Sequence, residues 1–311
     1  MTAVGLELAR EWHDAIGQRV AYAPDGSAWA CSSRQELRLF EDDALVAAEG
    51  VAGEILGELT FSSDGARVLV APLAYDRGAR AWAPRPPVAE TLATGLPSEA
   101  AEGFMASAGA WAPDGSALAL YGEYRPPRGT SAGAGWSGPP ARLVLLDGDA
   151  PLVIWEGTRS EPRTAIVVGD ALVASGGRAI DVRDRASGRP LAVLAAFATV
   201  ARTLRLDGAH LAAGSADGTV AVWDSGTWEE VARWLAHEGE AAGLAWHPGG
   251  EALATGGEDG LVRLWSLAGD LLGQLDAGAP VTGLAFHPSG KRLLAARAGP
   301  AGGVAALELV A

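Results

Sequence analysis

The chain of 311 residues has a single cysteine, Cys31, so no internal disulfide can form. Lys291 is its one lysine; the other basic residues are arginines. Lys and Arg total 24 against 38 Asp and Glu, a net charge of −14. A surface of that sign repels nucleic acid unless a basic patch overrides the total, and no such patch is present. No run of about 18 apolar residues exists, so no membrane-spanning helix is expected. The opening MTAVGLELAREWHD lacks a basic region ahead of an apolar core, so no secretory signal is expected either. These absences predict a soluble, cytoplasmic protein with no nucleic-acid and no membrane partner. Arginine in place of lysine, with abundant Ala and Gly, fits a GC-rich bacterial genome.

Chemistry-bearing motifs are also scarce. The five histidines are His13, His210, His237, His247 and His287, and none has a partner at metal-ligand spacing. His210 lies beside a turn, where exposure is expected. No phosphate-binding glycine loop, Gly-x-Ser-x-Gly elbow or calcium-loop spacing occurs. The expectation is therefore no catalytic residue, no metal and no cofactor.

What is present is 49% apolar residues in a recurring short pattern. The clearest copy is AHEGEAAGLAWHPGGEALATGGEDGLVRLWSL, Ala236 to Leu267. His237 stands nine residues before Trp246, and a His247-Pro248-Gly249-Gly250 turn follows. A small apolar strand ends in Thr255-Gly256-Gly257, Asp259-Gly260 makes a second turn, and Leu261–Trp265 alternates apolar and polar residues. Three strands separated by glycine turns read as an antiparallel meander. First turns recur at Gly26, Gly65, Gly115, Gly169, Gly208, Gly250 and Gly290, a period of about 40 residues with two longer steps.

This pattern resembles the WD repeat. Ala236-His237 stands for its Gly-His pair and Trp265-Ser266 for its Trp-Asp, while the preceding unit keeps Ala216-Asp217-Gly218 and Trp223-Asp224. The resemblance implies a structural network of His237, Thr255, Asp259 and Trp265. In it the imidazole bridges the Asp and the Thr hydroxyl, and the Thr accepts from the indole. His13, nine residues before Tyr22, takes the His237 place in the first unit.

Seven meanders are counted, with apolar stretches between them as outer strands: Ala44–Ala48, Val88–Ala93, Pro151–Trp155, Pro190–Ala195, Trp228–Leu235 and Asp270–Leu275. Six outer strands for seven meanders leave one missing, and Val4–Trp12 is expected to supply it. The predicted fold is all-β: a single seven-bladed β-propeller over residues 1–311, its ring closed by the N-terminal strand joining the last blade.

Residues 124–140, YRPPRGTSAGAGWSGPP, exceed what a repeat needs and read as a loop. Trp136 there, with Tyr124, Arg125 and Arg128 near it, either anchors a partner or folds back over its own blade. Propeller resemblance places this loop on a top face with Asp14, Arg159, Arg163, Glu238, Glu240 and Glu258. The functional expectation is a non-enzymatic scaffold, monomeric by itself, presenting that face to one or more proteins as a subunit of a larger bacterial complex. The alternative is a small-molecule-binding or hydrolytic propeller using its central channel.

Overall fold

Alternating apolar residues between glycine turns make short strands. The computed structural model describes residues 5–13, 17–33, 35–50, 58–70, 73–76, 81–82, 104–124, 141–147, 151–157, 165–194, 197–299 and 302–310. Among them there is no helix.

After β1 (Gly5–Trp12), the strands fall into four-membered antiparallel sheets in chain order. Sheet one is β2 (Arg19–Tyr22), β3 (Ala28–Ser32), β4 (Glu36–Glu41) and β5 (Ala44–Gly50); sheet two is β6 (Leu59–Phe61), β7 (Arg67–Val70), β8 (Leu73–Asp76) and β9 (Ala81–Trp82). Sheet three is β10 (Phe104–Trp111), β11 (Ala117–Tyr124), β12 (Ala141–Asp147) and β13 (Pro151–Gly157); sheet four is β14 (Ala165–Val168), β15 (Leu172–Gly176), β16 (Ile180–Asp184) and β17 (Pro190–Leu194). Sheet five is β18 (Ala201–Leu206), β19 (His210–Ser215), β20 (Thr219–Asp224) and β21 (Glu230–Leu235); sheet six is β22 (Ala241–Trp246), β23 (Ala252–Gly257), β24 (Leu261–Ser266) and β25 (Leu271–Asp276). Sheet seven is β26 (Val281–Phe286), β27 (Arg292–Arg297) and β28 (Gly303–Val310), and its fourth strand is β1. In that pairing Leu6 faces Leu309 and Leu8 faces Leu307.

First strands pack beside one another along β10, β14, β18, β22, β26, β2 and β6, and sheets two and three meet through β7 and β10. Where burial is described, second strands are buried almost throughout, third strands mix buried and half-buried residues, and fourth strands are the most exposed. The core consequently lies between sheets, as clusters shared by adjacent ones: Leu284 and Phe286 of sheet seven pack with Ala254, Val262 and Leu264 of sheet six. Close approach of the first strands requires small residues. A methyl group on Gly283 would come within 3.1 Å of the Gln18 carbonyl oxygen of sheet one.

Two outer strands begin two or more residues from where the sequence reading starts them. The fourth strand of sheet two is Ala81–Trp82, not Val88–Ala93, and residues 88–93 lie outside the described residues. Only four residues separate β8 from β9, and that short connection favours a hairpin over a longer excursion. In sheet five Trp228 precedes the strand: its φ is 61°, its N–H donates to the Asp224 carbonyl at 2.8 Å, and its ring packs on the core between sheets four and five. An indole is better buried in that turn than standing on an exposed edge.

Candidate functional site

Sheet six brings four of the residues singled out by sequence into one hydrogen-bonded chain. β23 and β24 pair Thr255 with Arg263 and Leu253 with Trp265, so Thr255 and Trp265 meet inside the sheet. Trp265 Nε1–H donates to Thr255 Oγ1 at 2.8 Å, and Thr255 Oγ1 lies 2.7 Å from His237 Nε2. His237 Nδ1 lies 2.9 Å from Asp259 Oδ1, which also accepts from the Leu261 N–H at 3.1 Å. An ionised carboxylate only accepts, so the imidazole proton sits on Nδ1 and the Thr hydroxyl donates to Nε2. Thr255 is fully buried and His237 is 2% exposed. Gly257 makes room: a methyl group there would come 2.3 Å from His237 Cγ.

Burial lowers the His237 pKa, and the bond and charge of Asp259 offset this only in part, leaving the ring neutral. Burial alone would raise Asp259, but the bonds from Arg263 and His237 prevail and bring it to about 2. Arg263 is a fifth member that sequence reasoning missed. Its Nη1 donates to Asp259 Oδ2 at 2.7 Å and to the Ala236 carbonyl at 2.9 Å. A signal existed: Arg263 stands two residues before Trp265 on one strand, which puts both on the same face. The arrangement can hold strand register and loop geometry; every group in it is spent on another, so none is left to attack or protonate a substrate.

His13 does not repeat this arrangement in sheet one. It is exposed, with Nε2 3.7 Å from Glu11 Oε2. The place of Thr255 is taken there by Cys31, which pairs with Val20 and Arg38 as Thr255 pairs with Leu244 and Arg263. Phe40 takes the place of Trp265 and stacks on Trp29 at 3.9 Å. With no hydroxyl or indole N–H to bridge, an imidazole gains nothing by being buried. His210 is not exposed as expected: it packs against Trp246 at 5.6 Å and sits 3.4 Å from Asp207. The His247-Pro and His287-Pro turns link sheets, His247 Nε2 reaching the Gly290 carbonyl at 3.2 Å.

Above the network, the loop entering β22 and the loop joining β23 to β24 lie together. The Glu258 N–H donates to the Glu240 carbonyl at 2.9 Å, and the Glu238 and Glu240 N–H groups approach the Asp259 and Glu258 carboxylates at 3.4 Å. Glu238 and Glu258 are exposed, and Glu240 pairs with Arg202 at 3.1 Å. Tyr124 ends β11, its backbone paired with Phe104. Asp14, Arg125, Arg128, Trp136, Arg159 and Arg163 lie outside the described residues.

A second polar cluster joins first strands of sheets that are not neighbours. Arg205 of sheet five reaches Glu58, just ahead of β6, with Nη2 2.6 Å from Oε2, and Arg19 of sheet one stands 3.6 Å from Oε1. Burial would raise the Glu58 pKa, but the two guanidinium groups outweigh it and hold the carboxyl ionised. The cluster spans the space that the first strands line. Among the described residues no group of three or more His, Cys, Asp or Glu is placed to hold a metal ion.

The WD domain, G-beta repeat model matches residues 200–224 and 228–266, which are sheets five and six up to the end of β24. Over 101 residues the chain is 39% identical to an uncharacterized WD repeat-containing protein of Schizosaccharomyces pombe, covering 29% of this chain and 22% of the relative. It is 51% identical over 45 residues to eukaryotic translation initiation factor 3 subunit I of Caenorhabditis briggsae, 14% of each chain. With small ribosomal subunit protein RACK1y of Oryza sativa the identity is 37% over 87 residues, 28% of this chain and 26% of the relative. These matches thus span about a quarter of each relative or less. The β-propeller domain of Cps50 (Swd1) from Myceliophthora thermophila superposes with a TM-score of 0.72 at 12% identity, covering 97% of this chain and 99% of that one. The fold is that of a β-propeller, and WD-type repeats occupy its best-matched part.

Proposed function

We propose that the seven sheets are blades of one closed ring, a single unit over residues 1–311, and that this ring is a non-enzymatic docking scaffold for one or more proteins. Closure is supported by β1 lying against β28, by first strands that pack side by side from β10 through β26 to β2 and β6, and by β7 meeting β10. Deleting residues 1–12 therefore opens sheet seven. It removes Trp12, which is 6% exposed, and Glu11, the partner of Arg297. The expected outcome is aggregation, read by size-exclusion chromatography; a monodisperse truncated chain would sink the closure.

The observation that carries the scaffold reading is the use to which sheet six puts its polar groups. Those inside bind one another, and the acidic ones above them, Glu238 and Glu258, stay in solvent on loops that are hydrogen-bonded together. A fixed acidic rim suits a basic segment of a partner protein. The names of relatives such as initiation factor 3 subunit I describe components of assemblies, which is consistent with this. The channel alternative is opposed by Arg19, Glu58 and Arg205, whose ion pairs cross the space a ligand would need.

The test is partner recovery from a lysate of the source organism, with three baits: the wild-type chain, Glu238→Lys with Glu258→Lys, and Trp136→Ala with Arg125→Ala. Loss with the first pair of substitutions supports the acidic rim, and loss with the second extends the surface to the 124–140 loop. Undiminished recovery with both pairs removes this face from the proposal.

A further inference from the structure

A pocket of about 320 Å³ opens between sheets seven and one, on the side of the first turns and away from the acidic rim. Its wall includes Tyr22, Trp29, Asp42, Asp43, His287 and Arg292. That volume is at the small end of the range for ligand sites. The fold builds it deliberately: Asp42 and Asp43 both adopt left-handed backbone, with φ of 47° and 61°, as a two-residue hairpin turn between β4 and β5 requires. This turn aims Asp43 inward, where it accepts from Trp29 Nε1–H at 3.1 Å and pairs with Arg292 at 3.0 Å and Arg10 at 3.5 Å.

The polar inventory of the wall does not balance. Tyr22 Oη and Arg292 Nε are buried without a hydrogen-bond partner. Burial pushes the Tyr22 phenol up to about 12, with Arg292 opposing and Asp43 adding, so its proton stays on as a donor. His287 Nδ1 accepts from the Ser289 N–H at 3.0 Å, which leaves Nε2 to carry the ring N–H. Its ring meets Tyr22 edge-on at 5.0 Å. The wall thus carries two buried donors lacking acceptors, Tyr22 Oη–H and Arg292 Nε–H, beside the half-exposed His287 ring. Asp43 cannot serve them, being taken up by Trp29 and two arginines, and Asp42 is exposed with neither ion pair nor hydrogen bond. Unmet buried donors are costly, and a ligand oxygen is what relieves them.

We propose that this pocket binds a small zwitterion of amino-acid size, its carboxylate toward Tyr22, His287 and Arg292 and its ammonium toward Asp42. Net charge decides between ligand classes. The wall holds Arg292 against Asp42 and Asp43, with Arg10 at the Asp43 carboxylate, so neither a phosphate nor a bare cation is matched. A ligand carrying one charge of each sign is.

The test uses the whole chain and isothermal titration at constant ionic strength, with L-alanine, sodium acetate and ethylammonium chloride as separate probes. L-alanine is expected to bind saturably at one site, and acetate and ethylammonium at least tenfold more weakly. Tyr22→Phe keeps the ring and removes only the orphan hydroxyl. It should weaken L-alanine at least tenfold while the melting temperature stays or rises. Asp42→Asn lies on an exposed turn and should bring L-alanine down to the level of acetate. No saturable L-alanine binding up to about 20 mM, or equal binding by Tyr22→Phe, overturns the site. Acetate binding as tightly as L-alanine overturns the zwitterion.

Discussion

Sheets five and six are neighbours with the same register and opposite interiors. Ala201 pairs with Ser215 as Ala241 pairs with Gly257, and Leu211 with Trp223 as Leu253 with Trp265. Each sheet therefore has a tryptophan at one place, yet only sheet six gives it a polar partner. Ala213 stands where Thr255 does, and Phe197, four residues ahead of β18, stands where His237 does ahead of β22. Phe197 meets Trp223 edge-on at 6.2 Å. Asp217 is satisfied by Ser215 and by the Thr219 N–H at 3.1 Å. Both sheets also set an arginine on the site: Arg263 as an ion pair, and Arg233 over the Phe197 ring at 5.0 Å. A hydrogen-bonded imidazole under the tryptophan and a phenyl ring there are thus alternative solutions of one backbone.

The comparison breaks most sharply at His237. His237→Ala leaves a cavity and strips Thr255 and Asp259 of a partner; the expected loss is about 3 kcal/mol by urea unfolding. Phe197→His asks the reverse question. Without a hydroxyl at Ala213 the imported imidazole is buried half-satisfied, and the loss should be about 2 kcal/mol.

A smaller effect appears with pH. The folded His237 pKa is lowered, so between it and the unfolded value of 6.5 the unfolded chain binds the extra proton. Stability is full above that value and falls as pH drops below it, by about 1 kcal/mol for each unit until the folded pKa is reached. The smallest change is expected when sheet five is copied into sheet six. His237→Phe with Thr255→Ala should lie within about 1 kcal/mol of wild type and lose the histidine part of the pH dependence. If that double variant is no more stable than His237→Ala, the two interiors are not interchangeable.

Legibility followed the kind of interaction. The strands, their turns and the four-residue set of sheet six were readable, because alternation and glycine turns are local and the motif sits at fixed spacing. The hairpin at Ala81–Trp82, the burial of Trp228 and the exposure of His13 were not. Trp228 depends on the core between sheets four and five, the hairpin on a short connection inside sheet two, and His13 had the right spacing with the wrong partners, Cys31 and Phe40. Arg263 was readable in principle from its alternation with Trp265.

By itself the sequence determined an all-β chain of recurring meanders with no basic patch, and it marked sheet six as the place where polar residues are spent on register. Those properties follow from period, turn chemistry and charge, which need no knowledge of distant contacts. Only the tertiary structure decided that Arg205 crosses to Glu58 and that Tyr22 and Arg292 line one pocket with donors to spare. Each joins residues more than a hundred positions apart, and side chains brought together at that range leave no periodic trace along the chain.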